Sequence, residues 1–177
     1  PDFSNLPQLR ELDVDNNQIT GSIPNLGNCP NIGALDLDQN QFTGSLPTFS
    51  AGSNLLKIEA NFNLLTEPIP DYSITAPALN RLEIDNNQLT FGDILPSYNA
   101  NNTLTTTFNY SPQADFGVDD TTMVSIGGNH TIDLGIDEGM SSNTYSWYLD
   151  GTSITSTSVN KLHLTNIGVA DTGTYTV

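Results

Sequence analysis

The chain has 177 residues, 36% of them hydrophobic and 14% charged, enough for one large domain or two small ones. Four Lys+Arg stand against 20 Asp+Glu, a formal net charge of −16, which argues against nucleic acid or an anionic membrane surface as a partner, since both are held by basic side chains. No apolar run approaches the roughly 18 residues of a membrane span, which argues against direct membrane insertion, and one Cys cannot form an internal disulfide.

A repeat runs through the first half. Leu9, Leu12, Val14, Asn17, Ile19, Gly21, Ile23 and Pro24 recur 23 positions later as Ile32, Leu35, Leu37, Asn40, Phe42, Gly44, Leu46 and Pro47. A second step of 23 reaches Leu55, Ile58, Ala60, Asn63, Leu65, Ile69 and Pro70, with Glu67 in the glycine position. A step of 24 then reaches Leu79, Leu82, Ile84, Asn87 and Leu89. In each LxL core the two apolar residues share one face of a strand. The Asn that follows sits where the chain turns away, so an inward amide there can bond backbone groups left unpaired and stack into a ladder. One such unit cannot bury its apolar side alone; stacking makes the core.

This LxxLxLxxNxL pattern resembles the leucine-rich repeat family, and the trailing T-G-x-I-P of Thr20–Pro24, with its echo at Thr43–Pro47, resembles the plant-type class. The resemblance covers about residues 1–95. It implies a mainly β solenoid, with a parallel sheet on the concave side and short 3₁₀ or irregular segments on the convex side. Residues 1–90 hold about four repeats. Pro1-Asp2-Phe3-Ser4-Asn5-Leu6 has the phase of Pro47-Thr48-Phe49-Ser50, which suggests a piece of a longer chain whose flanking domains would be partners. Residues 91–117, with Phe91, Ile94, Leu104, Phe108 and Tyr110 as apolar cover, read as a C-terminal cap and linker. Thr90–Ile94 and Phe108–Gln113 resemble the segment that closes repeat arrays in bacterial surface proteins.

From 118 the period changes to short alternating stretches, Thr121–Ile126, Thr131–Ile136 and Thr144–Leu149, with Asp150-Gly151 as a hairpin turn. Trp147, Leu162, Leu164 and Asp171-x-Gly173-x-Tyr175-x-Val177 resemble an immunoglobulin-like sandwich, with Trp147 on its central strand and Tyr175 in a tyrosine corner. Residues 118–177 then form such a domain without its last strand, which the same chain or another would supply. Leu134 and Val177 stand where the family carries its disulfide and would make an apolar pin between sheets.

The outward residues of the repeat strands form three columns. One holds Asp13, Asp36, Glu59 and Glu83, the next Asp15, Asp38, Asn61 and Asp85, and a third Glu11, Ala34, Lys57 and Arg81. Seven carboxylates thus make two adjacent ladders with rungs about 4.8 Å apart, each neighbouring pair repelling by roughly 1 kcal/mol in water. Such a field draws cations or a basic partner. The expected ligand is a protein or a carbohydrate, cationic or bridged through a metal, touching Glu11, Asp13, Asp15, Asp36, Asp38, Glu59, Asn61, Glu83 and Asp85. A solvated acidic surface without a ligand is the plainer reading of the same residues. No cofactor is expected beyond weak divalent-cation bridging at Asp13, Asp36 and Glu59. The Asp-x-Asp-x-Asn triplets lack the sixth-position Gly of a wrapped calcium loop.

Thr20, Thr43, Thr66 and Thr90 would form a further column, ordinary for the repeat although regular threonine arrays can bind ice. No G-x-S-x-G, phosphate-cradling Gly loop or H-E-x-x-H motif occurs, and no enzyme is expected. His130 and His163 read as surface residues and Cys29 as core. Asn101, Asn109 and Asn129 head N-x-[ST] triplets. The domain pairing implies a secreted or cell-surface, bacterial protein acting in recognition or adhesion. A stalk or spacer in a large surface protein, or the targeting module of a secreted enzyme, are the alternatives.

Overall fold

The computed structural model describes residues 3, 6–115, 120–137, 140 and 142–177. The opening phase match at residues 1–5 (Phe3 apart) and the change of period at 118 lie outside them. The chain divides into two compact units, Pro1–Phe116 and Gly117–Val177.

In the first unit the LxL cores become three-residue strands: β1 (Glu11–Asp13), β3 (Ala34–Asp36), β5 (Lys57–Glu59) and β7 (Arg81–Glu83), with β2 (Thr20–Ser22), β4 (Gln41–Gly44) and β6 (Leu64–Leu65) between them. The LxL strands pair in parallel, Leu12 to Leu35 to Ile58 to Leu82, and a fifth strand, β8 (Thr107–Asn109), continues the row with Phe108. Leu35, Ile58 and Leu82 are fully buried, as are Leu37, Ala60 and Ile84 two positions on. The side-chain period of two puts both apolar residues of each core inward, and stacking covers them.

The asparagines form the expected ladder. Asn63 Nδ2 donates to the carbonyls of Leu37 (2.9 Å), Ala60 (3.3 Å) and Asn61 (3.2 Å), and its Oδ1 accepts from Phe42 N at 3.0 Å. Asn40 and Asn87 repeat this arrangement, Asn40 Oδ1 taking Ile19 N and Asn87 Oδ1 taking Leu65 N. Gln113 adds a last rung that the Asn pattern hides. Its Oε1 accepts from Asn87 N and Leu89 N, and its Nε2 donates to the carbonyls of Ile84 and Tyr110. A glutamine is one methylene longer, and the step to this coil is correspondingly irregular: Leu82 pairs with Phe108, 26 positions on.

The convex side departs from the expectation of 3₁₀ or irregular segments. It carries a second parallel sheet, β2–β4–β6, and two helices, α1 (Tyr72–Thr75) and α2 (Phe91–Leu104). Gly21 (φ 87°) and Gly44 (φ 78°) let β2 and β4 turn through the left-handed region. At Glu67 a side chain replaces that glycine, and β6 stops at Leu65. The convex register is also shorter by two residues: Thr20 faces Gln41 and Thr43 faces Leu64. The amides of Asn40 and Asn63, bonded to Ile19 N and Phe42 N, pull the return strands into that offset. The threonine column therefore does not form.

Helix α2 opens with Asp93 Oδ2 accepting from Thr90 N (2.8 Å) and from the Thr90 hydroxyl (2.9 Å), a side-chain closure of its first turn. Ile94 is buried in the core, while Tyr98, Leu104, Phe108 and Tyr110 pack against it. Phe91 does not cover the coil as expected; as the first helical residue it is 54% exposed. Asn101, fully buried, ties α2 to the coil below through Tyr72 N and Pro70 O.

In the second unit β9 (His130–Asp133) pairs antiparallel with β12 (Lys161–Leu164), and β10 (Tyr145–Leu149) lies between β11 (Thr152–Thr157) and β13 (Tyr175–Thr176). Asp150 (φ 48°) and Gly151 (φ 77°) make the two-residue hairpin turn. Buried Trp147, Tyr145 and Leu162 form a small core with Ile132, Leu134, Leu164 and Tyr175 against it, and the Tyr175 hydroxyl donates to Asp171 O at 2.8 Å. Thr121–Ile126 is no strand: its apolar residues do not alternate, and Met123 and Ile126 are exposed. Val177 lies beyond the last paired residue of β13 and is 53% exposed, so the expected pin with Leu134 is absent.

Candidate interaction face

The strand register sets the concave columns. Asp13, Asp36 and Glu59 are successive pairing partners, as are Glu59, Glu83 and Asn109; Glu11, Ala34, Lys57, Arg81 and Thr107 form the column beside them. The next column continues in step, because Asn16 N bonds Asp38 O, Gln39 N bonds Asn61 O and Phe62 N bonds Asp85 O. Both acidic ladders expected from the sequence are thus assembled.

Their electrostatics differ from a bare row of negative charge. Lys57 Nζ lies 3.3 Å from Asp36 Oδ2 and 2.5 Å from Glu59 Oε2. Arg81 Nε lies 2.7 Å from Glu59 Oε1, and its Nη2 lies 3.1 Å from Glu83. Asn109 Nδ2 also donates to Glu83 Oε1 at 2.8 Å. The two cations do not merely flank the carboxylates; they alternate with Asp36, Glu59 and Glu83 across the strands. The carboxylate next to Lys57 holds that ammonium above its ordinary pKa, chiefly through Glu59. The Glu83 hydrogen bond does the same for Arg81.

The neighbouring column is braced by amides. Asp38 Oδ1 accepts from Asn61 N at 2.9 Å, and the Asn61 side-chain amide abuts the same carboxylate, oriented so that its nitrogen donates. Asp15 and Asp85 accept from Asn16 and Asn86. Loss of water around Asp38, and then the charge of Asp36, raise its pKa to about 7. Burial raises Asp36 as well, opposed by Lys57. At the first rung Glu11 and Asp13 are exposed and Asp15 half-buried.

Among the described residues the carboxylates that converge are Asp36, Asp38 and Glu59, with oxygens within 4.8 Å of one another, and these could hold a cation. The expected trio of Asp13, Asp36 and Glu59 is corrected in its first member. Between Asp13 and Asp36 the adjacent column offers only Ala34, so no ammonium draws them together as Lys57 draws Asp36 and Glu59. Lys57 already bridges two of the converging groups, and a metal would have to displace it.

Of the other residues singled out, Cys29 is buried and burial raises its thiol pKa. Exposed His163 bonds the Thr131 hydroxyl through Nδ1. Asn101 is buried and closed to modification, whereas Asn109 and Asn129 are exposed. Missed by the sequence reading were Asn109 and Gln113, which a step of 26 from Glu83 and Asn87 would have found, and Phe62, exposed beside the Asp38 column. Among the described residues no helix is long and apolar enough to cross a membrane.

The first unit is a solenoid of stacked parallel coils with a buried amide ladder. Residues 7–51 match the family described as Leucine Rich repeats (2 copies), which supports reading these coils as leucine-rich repeats. No curated protein matches the chain.

Proposed function

We propose that the concave sheet of the repeat unit recognises a protein partner that presents basic side chains, without catalysis. Leucine-rich repeats in general mediate contacts between proteins. The observation that carries this reading is the registered double column, which sets Asp13, Asp15, Asp36, Asp38, Glu59, Glu83 and Asp85 on one sheet face at strand spacing. A fixed array of one sign steers partners of the opposite sign and rejects anionic ones. The second unit suits an immunoglobulin-like module: Trp147 is its buried centre, and Tyr175 bonds back four residues as in a tyrosine corner. A pairing of such modules fits a secreted or surface-attached bacterial protein working in adhesion.

One observation favours a second reading, a rigid spacer. Lys57 and Arg81 satisfy the middle carboxylates internally and stiffen the coils without any ligand. The two separate on Asp13→Asn/Asp15→Asn/Asp85→Asn, which leaves the Lys57 and Arg81 pairs in place. Affinity for a fluorescent nonalysine peptide, read by anisotropy at low and raised ionic strength, should fall about tenfold or more with a shallower salt dependence. Unchanged affinity would reject recognition and leave the spacer.

A further inference from the structure

We propose that Phe62 is the aromatic anchor of this face and that the partner segment it takes is an extended peptide presenting arginine. The inference rests on the recognition reading above and names the side chain that reading would select.

Four residues, Asn16, Gln39, Phe62 and Asn86, occupy the same turn after successive concave strands, all with φ of 52–53°. Asparagine adopts that left-handed conformation readily; a bulky aromatic there is a conformational outlier. The neighbouring coils hold the backbone in place, with Phe62 N donating to Asp85 O and Phe62 O accepting from Asn40 N. The core does not require the ring, since Phe62 is 51% exposed and belongs neither to the buried cluster nor to the side chains packed on it. Fold stability thus accounts neither for the residue type nor for its exposure. Strained residues kept against the local preference concentrate where a ligand is held.

The surroundings name the ligand. Asp38 sits against the backbone of Asn61, one residue before Phe62, and Asp85 receives the Phe62 N–H through its own carbonyl. The adjoining column of the sheet holds Asp36 and Glu59, engaged by Lys57. An exposed ring one residue past a column of carboxylates complements a planar cation that stacks and donates at once. Guanidinium does both, with a fork of N–H donors in the plane of the stacked group; ammonium offers a point charge and stacks less well. Centrally placed aromatics surrounded by polar groups are also where binding energy concentrates in protein interfaces. The chain's net charge of −16 turns away anionic competitors.

The test compares the full chain with Phe62→Asn, which installs the residue already tolerated at positions 16 and 86, and with Phe62→Leu and Phe62→Tyr. Fluorescent nonarginine and nonalysine serve as probes. Phe62→Asn should melt no lower than the parent, bind nonarginine about fivefold more weakly and change nonalysine less, while Phe62→Tyr keeps the parent affinity. Nonarginine bound as tightly by Phe62→Asn or Phe62→Leu as by the parent would overturn the proposal. If Asp15→Asn/Asp85→Asn weakens both peptides while Phe62→Asn weakens neither, the anchor alone fails. If neither set of substitutions alters binding, the recognition reading fails with it.

Discussion

Two ladders run through the same coils at the same spacing, one inside and one outside, and they are held by opposite means. The inner ladder of Asn40, Asn63 and Asn87 is neutral, buried and bonded on both ends of each amide. The outer ladder of Asp36, Glu59 and Glu83 is charged, partly wet and held by two cations placed between rungs. A buried amide with every donor and acceptor met adds stability wherever it repeats, whereas a carboxylate repeated at strand spacing accumulates repulsion unless something intervenes. One repeat therefore stabilises itself from within and stores an unbalanced field on its surface.

The largest effect is expected from breaking the inner ladder. Asn87→Ala, at a fully buried rung, orphans the carbonyls of Ala60 and Ile84 and the N–H of Leu65. A loss of about 2–4 kcal/mol in urea unfolding is expected, and the native state will still form. If the outer ladder were as important to folding, Lys57→Met would match it. We expect less, about 1–2 kcal/mol, because the Lys57 side chain keeps 31% of its exposure and water screens the carboxylates it leaves. That loss should shrink in acid, where Asp36, its pKa raised by burial, becomes neutral.

Asp38 sharpens the contrast through pH. Its folded pKa of about 7 lies above the ordinary carboxylate value of about 3.9. Below pH 4 both folded and unfolded chains hold the proton; between 4 and 7 the folded chain alone holds it. Stability should therefore fall as pH rises through that window, and Asp38→Asn should flatten the fall. The contribution is about 1 kcal/mol once discounted for a half-exposed group. Thermal melts at pH 5 and pH 8, parent against variant, measure it. The smallest effect belongs to Asn17→Ala. Asn17 is exposed and its side-chain amide donates to Val14 O and Asp15 O of its own coil, so a change below about 0.5 kcal/mol is expected. A large effect there would mean that the ladder's strength lies in each turn and not in the stacking.

Much of the repeat unit was legible because a period constrains geometry. Equal steps of 23 place Leu12 over Leu35 and Asp13 over Asp36 whatever lies between. Legibility failed wherever the period broke. On the convex side Gly44 pairs with Leu65 and not with Glu67, 23 positions on, the longer step to Gln113 concealed the last rung, and the two-residue offset of the convex strands dissolved a threonine column that the sequence spacing implies. In the second unit the hairpin at Asp150-Gly151 and the burial of Trp147 were readable, since a left-handed turn and a large indole leave few choices. Thr121–Ile126 and Val177 were not, because whether a short apolar stretch is covered depends on partners that its own residues do not specify.

The amino-acid sequence by itself determined the stacking of the coils, the inward asparagines and the two acidic columns, because side-chain alternation along a strand and a constant repeat length leave register no freedom. Only the tertiary structure decided that Lys57 and Arg81 thread between carboxylates instead of standing beside them, that Asp38 loses enough water to titrate near neutrality, and that Phe62 is held exposed in a turn suited to asparagine. Those outcomes depend on distances of a few ångströms across coils and on how much solvent each group retains, quantities that a one-dimensional period does not carry.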